Sequence, residues 1–206
     1  YGAVANSAQV AWSWKAGGAP TADNTQTSGA MTANSVSLDG ILQSAYTPSG
    51  SPSTYPKRMS IGTKQGFSIV LFNGTGANAT VPHGLGKPAK FMIVKNIAEA
   101  TGWGVYHDAI GNNGGNNYVE LQSTAAASSS DTAFQDTAPT SDVFSVGSKA
   151  AVNDTNDDSI AYIWCDIPGL QKFGTYTSST VSDGPYVELG FRPAVVWMKN
   201  TGTNAN

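Results

Sequence analysis

From Gly66 onward the chain sets short apolar runs between clusters of Gly, Asn, Ser and Asp. The runs 67–72, 91–95, 103–107, 118–121, 143–146 and 160–164 are rich in β-branched and aromatic residues and are predicted as strands. Between them lie Asn73-Gly74, Gly84-Leu85-Gly86, the Gly/Asn cluster 111–117, the Ser/Ala run 123–130 and the Asn/Asp run 153–158. No stretch carries a helical period; residues 124–129 offer alanines but no apolar face. Many short strands joined by Gly and Asn turns predict an all-β fold, an antiparallel β-sandwich of jelly-roll type. Runs 67–72 and 91–94 are apolar on both alternations. That pattern suits central strands covered on two sides, or strands whose outer face meets another subunit, and cover from within the chain is the simpler expectation.

The pattern is used more than once. Residues 67–76 and 84–96 return as 172–177 and 188–200, with Leu85-Gly86, Pro88-Ala89 and Lys95-Asn96 matched by Leu189-Gly190, Pro193-Ala194 and Lys199-Asn200. A second correspondence links residues 9–17 to 159–169, with Ala11, Trp12 and Trp14 over Ala161, Tyr162 and Trp164. This order predicts four regions: 1–18, the terminal strand of a repeat; 19–65, an extended linker rich in Thr, Ser, Ala, Pro and Gly; 66–170, a complete unit; and 171–206, the opening strands of a second unit. An incomplete sandwich leaves open edges and an uncovered core. Either further tandem units complete it, or the N-terminal strand does so, within one chain or across two; across two it propagates a fibre.

Composition narrows the function. Only 12% of the 206 residues are charged, the net charge is -3, and the eleven Lys and Arg are scattered, which excludes the basic patch that phosphate binding needs. No nucleic-acid partner is expected. The apolar runs are too short to cross a bilayer as helices. The one cysteine, Cys165, sits in an apolar strand and is expected as a buried thiol, with no disulfide framework. Tyr1-Gly-Ala-Val lacks the basic start and apolar stretch of a signal peptide, and the missing initiator Met points to a processed chain or a segment of a longer one.

Several motifs fail on their context. Gly74-Thr-Gly76-Ala-Asn-Ala79 imitates a dinucleotide loop, but Thr80-Val-Pro82-His-Gly84 cannot open the helix that would hold a pyrophosphate. The Asn73-Gly74 pair is expected as a turn needing positive φ. Asp154, Asn156 and Asp158 imitate a calcium loop, yet Ser159 stands where its glycine belongs and Cys165 where its closing glutamate belongs. His83 and His107 have no cysteine or carboxylate at metal-ligand spacing. His107 beside Asp108 is the nearest approach to a catalytic pair, without a G-x-S-x-G elbow or paired carboxylates. No catalytic residue, cofactor or metal is expected. The sequons at Asn73, Asn78 and Asn153 matter only in a secretory pathway.

The series Gly66-Phe-Ser-Ile-Val, Gly74-Thr-Gly76, His83-Gly-Leu-Gly86, 88–95, Trp103-Gly-Val-Tyr-His107, 137–147, Val152-Asn153, Ile160-Ala-Tyr162, Lys172-Phe-Gly-Thr-Tyr176 and Gly190-Phe-Arg-Pro193 resembles a repeated domain of tailed-phage virion proteins. These are tail-fibre, tail and structural proteins, frequent in marine and aquatic phages. Residues 10–18, 37–40 and 63–67 resemble what precedes the domain there. The resemblance implies a non-enzymatic virion protein, extracellular in the particle, that is a homo-oligomer or joins other virion proteins. In such proteins a second unit continues past the Gly-Phe-Arg-Pro strand.

The aromatics carry the binding expectations. Trp12, Trp14, Phe191 and Trp197 are expected at a shared-strand assembly interface. Trp103, Tyr106 and Tyr118 are the alternative, a platform on which host surface glycans stack. A subunit of a secreted filament outside any virus shares the assembly physics.

Overall fold

The computed structural model describes residues 13–110, 117–129 and 131–201; Trp12 and the rest of the predicted N-terminal strand up to it lie outside the described residues. Eleven strands are formed among them: β1 (Val36–Leu38), β2 (Ile41–Leu42), β3 (Arg58–Gly62), β4 (Phe67–Asn73), β5 (Ala79–Pro82), β6 (Phe91–Asn96), β7 (Gly104–His107), β8 (Asn117–Glu120), β9 (Ser128–Ser129), β10 (Val143–Val146) and β11 (Asp158–Trp164). Two short helices, α1 (Asp131–Phe134) and α2 (Ala150–Asn153), complete an all-β fold. The six predicted strands are all present, as β4, β6, β7, β8, β10 and β11.

Nine strands make one sheet in the order β2-β1-β3-β4-β11-β6-β7-β8-β9, and β5 pairs with β10 in a second, two-stranded sheet. The last strand of the unit lies at its centre. β11 is antiparallel to both β4 and β6, with Trp164 opposite Phe67 and Phe91, and Ala161 opposite Val70 and Val94. Period-two alternation then sorts side chains to two faces. Val70, Phe72, Met92, Val94, Ala161 and Ile163 face inward, where Val81, Phe144 and Val146 of the small sheet, Phe134 of α1 and Val152 of α2 cover them. Phe67, Ile93, Val105, Val119 and Trp164 form a second apolar cluster on the outer face. Each fully buried side chain of this kind contributes about 1.5–3 kcal/mol, so both clusters matter to stability. The doubly apolar runs 67–72 and 91–94 are explained by this two-sided cover.

Three expectations are corrected. Residues 19–65 are not a linker: they supply β1, β2 and β3 and bury Met31, Val36, Met59 and Ile61 in the inner core. Their apolar residues are few, and four of them go to the core while Ile41 and Leu42 of β2 stay exposed, a division that composition alone hides. The sheet is mixed, because β1 runs parallel to β3 with Val36 opposite Met59. Finally, residues 172–201 form no strand among the described residues, although they repeat the sequences of β4 and β6. A strand needs a partner ladder, and among the described residues none runs beside this segment.

The N-terminal residues that are described tie down the β1–β3 edge. Ser37 Oγ donates to the Gly17 carbonyl at 2.7 Å, Ser60 Oγ to the Gly18 carbonyl at 2.5 Å, and the Gly40 amide to the Gly17 carbonyl at 2.7 Å. Gly17 has to be glycine for reasons of space: a Cβ there would lie 2.0 Å from the Ile61 carbonyl oxygen.

Candidate functional site

On the outer face the register of β11 places the Trp164 indole between two phenylalanines. Its ring stacks on Phe67 at 4.7 Å and lies 5.2 Å from Phe91. Trp14, from the N-terminal segment, meets Trp164 edge-on at 5.7 Å. Phe91 receives the C-terminal segment: Phe173 stacks on it at 5.5 Å, and Trp197 approaches edge-on at 5.6 Å. Trp14 and Trp197, both expected at an assembly interface, thus reach one aromatic cluster from opposite ends of the chain. They remain about half exposed, at 46% and 54%. Offset and edge contacts of this kind are worth about 0.5–1.5 kcal/mol each beyond area burial. Phe191 is half-buried and makes no ring contact with the cluster.

The C-terminal segment itself is barely fastened. Among the described residues, no backbone group of 172–199 bonds another backbone group. Side chains hold it instead: Lys172 Nζ on the Glu188 carbonyl at 2.6 Å, Lys199 Nζ on the Ser123 carbonyl at 2.6 Å, and the Phe173 amide on Asp166 Oδ1 at 2.9 Å. Val195, Val196 and Met198 are exposed, as are Tyr176, Val181 and Tyr186. An exposed apolar run of strand-forming residues that forms no ladder among the described residues has the character of a sheet edge.

The family model of DUF7483, a domain of unknown function, matches residues 43–206. The chain belongs to that family. No curated protein and no solved structure matches it. The matched span begins just after β2 and takes in β3 to β11 and the C-terminal segment of this DUF7483 chain, leaving β1 and β2 outside it.

The three residues expected to stack on glycans do not share a surface. Trp103 and Tyr106 stand three apart at β7, so they point to opposite faces. Tyr106 is 1% exposed, edge-on to Phe134 in the inner core at 5.8 Å, and burial pushes its hydroxyl well above the ordinary range. Tyr118 is 8% exposed and joins the same core under the Lys149 ammonium, 4.7 Å from its ring centre. Only Trp103 stays on the outer side, half-buried beside the second cluster. The parity of positions 103 and 106 carried this outcome in the sequence.

The polar candidates of the DUF7483 chain are committed to the fold. Asp108 pairs with Lys90 at 2.5 Å, while the Nδ1 of His107 accepts the Ala109 amide, so the two neighbours do not form a catalytic pair. Asp158 pairs with Lys57 at 2.6 Å, and Asp154 accepts the Thr155 amide. Among the described residues no three His, Cys, Asp or Glu side chains gather to hold a metal ion. Gly74 does not use positive φ; its role is close approach, since a Cβ would stand 2.0 Å from the Asp154 carbonyl oxygen. Cys165 is buried, and that burial pushes its thiol up.

A cleft of about 810 Å³ opens between the N-terminal segment and the outer face, floored by Ile69, Leu71 and Ile160 and edged by Lys15, Arg58 and Lys64. Arg58 is paired with Asp23 at 2.5 Å. The cleft has no signature in the sequence, because its floor comes from strands distant in the chain. The hub residues Phe91 and Trp164 were missed for the same reason: strand register, not spacing, brings them together.

Proposed function

We propose that this DUF7483 chain is a non-enzymatic structural subunit of a tailed-phage virion, a tail-fibre, tail-associated or head-decorating protein, that works by assembly. The observation that carries the assembly part is the C-terminal segment, whose residues 172–199 form no backbone–backbone hydrogen bond among the described residues while Val195 and Val196 are each 64% exposed. Such a run is unfavourable in water and gains both hydrogen bonds and apolar cover from a partner. The virion setting is supported by the family resemblance of the sequence. Its partners are further copies of itself or other virion proteins, and Trp14 and Trp197 flank the contact. Glycan stacking on Trp103, Tyr106 and Tyr118 is left out of the proposal, since two of the rings are buried.

Sedimentation velocity over a wide concentration range tests the assembly. Oligomers are expected for the chain itself, and the double variant Val196→Asp/Met198→Asp should shift them to monomer with an unchanged far-UV spectrum. A chain that stays monomeric at every concentration overturns the assembly reading. Antibodies against the chain should label purified particles, and their failure to do so in a phage encoding it overturns the virion setting.

A further inference from the structure

The cleft beneath the N-terminal segment differs in chemistry from the aromatic cluster beside it. Ile69 and Leu71 of β4, Ile160 of β11 and Ile97 just after β6 line it, and among the described residues no aromatic ring does, so it offers no surface on which a sugar would stack. At about 810 Å³ it falls in the size range of pockets that enclose a ligand. Its rim charges are unevenly matched. Arg58 is paired with Asp23, and Asp39 turns both carboxylate oxygens onto Thr63, accepting its amide at 2.8 Å and its hydroxyl at 2.7 Å. Lys15 makes no ion pair among the described residues, and Lys64 stands near Asp39 without pairing with it. A partner that fits this cleft is therefore aliphatic in body and acidic in charge.

The chain displays such an element on its own surface. Val181, Tyr186 and Val187 are exposed and stand among two acids, Asp183 and Glu188, which are exposed as well. Other acids beside exposed apolar side chains are already placed: Asp39 belongs to the cleft rim, Glu99 follows Ile97 of the cleft itself, and Asp166 holds the Phe173 amide. The exposed run 195–198 lies between Arg192 and Lys199 and would carry like charge to the cleft. Residues 186–190 are also braced in shape. The Glu188 carboxylate accepts the Tyr186 hydroxyl at 2.6 Å and the Gly190 amide at 2.7 Å, while Lys172 Nζ holds the Glu188 carbonyl, and a segment shaped in advance loses less entropy on docking.

We infer that residues 181–188 of a second copy dock in this cleft, with Val181 and Val187 on the aliphatic floor and Asp183 and Glu188 against Lys15 and Lys64. This inference rests on the assembly reading and names the two surfaces that meet. The segment comes from another copy because a chain's own C-terminal segment is held elsewhere. Phe173 and Trp197 lie on Phe91 of β6, and Lys199 bonds the Ser123 carbonyl beyond β8, whereas the cleft lies over β3, β4 and β11. Every copy gives a segment and receives one through different surfaces, so the contact is head-to-tail and yields open fibres or closed rings.

Charge reversal in full-length chains, read by sedimentation velocity, tests the contact. Lys15→Glu/Lys64→Glu and Asp183→Lys/Glu188→Lys, all at exposed positions, should each weaken self-association by about tenfold or more, because like charges set across an interface are costly. Mixing the two variants sets the reversed cleft against the reversed segment and the native cleft against the native segment, so assembly should return. Sodium chloride at about 1 M, which screens charges beyond roughly 3 Å, should also weaken the oligomer of the unaltered chain severalfold. Variants that assemble as the unaltered chain does, or an unaltered oligomer indifferent to salt, overturn the docking and leave the assembly reading standing. Two variants that stay apart when mixed overturn the pairing of these two surfaces. An unaltered chain that is monomeric at every concentration overturns both readings.

Discussion

Asn153→Ala should lower the unfolding free energy by about 3 kcal/mol, a large share of what a domain of this size has, read as a fall in the urea midpoint at constant slope. Asn153 is fully buried at the end of α2. Its Oδ1 accepts the Thr75 amide at 2.9 Å, and its Nδ2 donates to the Ala77 and Gly147 carbonyls, each at 2.7 Å. One side chain thus ties the 74–77 loop to the strand end after β10. Thr75 and Ala77 lie near solvent and can recover with water, but Gly147 is buried and is left with an unpaired carbonyl. Asn153→Asp should be at least as damaging, because it aims a carboxylate at two carbonyl oxygens. A loss under about 1 kcal/mol, the worth of one ordinary hydrogen bond, would mean that the loop is held by its backbone bonds alone.

Acid should remove a similar amount through His83. The ring is completely buried; its Nδ1 accepts the Leu85 amide at 3.2 Å, which leaves Nε2–H to donate to the Thr140 carbonyl at 3.1 Å. Desolvation lowers its pKa to about 4, against the smaller opposing pulls of the Thr140 carbonyl and Asp142. The unfolded chain binds the proton near the ordinary value of 6.5, so between 6.5 and 4 the unfolded state takes up a proton that the folded state refuses. Stability is full above that window, falls as pH drops through it by about 3 kcal/mol, and levels off for this group below it. His107, lowered chiefly by burial, adds in the same direction. Urea unfolding at pH 7.0 and pH 4.5, compared with His83→Gln, isolates the effect, since the variant keeps a donor for Thr140 but has no proton to gain. An equal pH slope in the two proteins would overturn the assignment.

These two residues mark the limit of what the sequence discloses. The strands β4, β6, β7, β8, β10 and β11 are legible because each is a dense apolar run between turn residues, and burial on two faces demands such runs. β1 and β3 are not, because their core contribution comes from isolated residues such as Val36, Met59 and Ile61 within a polar stretch. The parallel pairing of β1 with β3 leaves no local trace at all. For the site, the repeat led to Trp14 and Trp197, which do meet one cluster, whereas Phe91 and Trp164 emerge only once β11 is known to separate β4 from β6. Asn153 reads as one more residue of an Asn/Asp-rich turn, and nothing in its neighbours announces the two carbonyls it serves.

The central place of β11 also governs when this protein can fold. The ribosome makes β4 and β6 long before Asp158–Trp164, yet those two strands have no ladder in common until the later segment arrives. The middle of the sheet must therefore form in one late step that joins residues far apart in sequence, so folding is slow and cooperative for a chain of this length. A nascent or truncated chain ending before residue 158 would present two unmated ladders, and its characteristic fate is capture of a β11 segment from a neighbour rather than a stable partial fold.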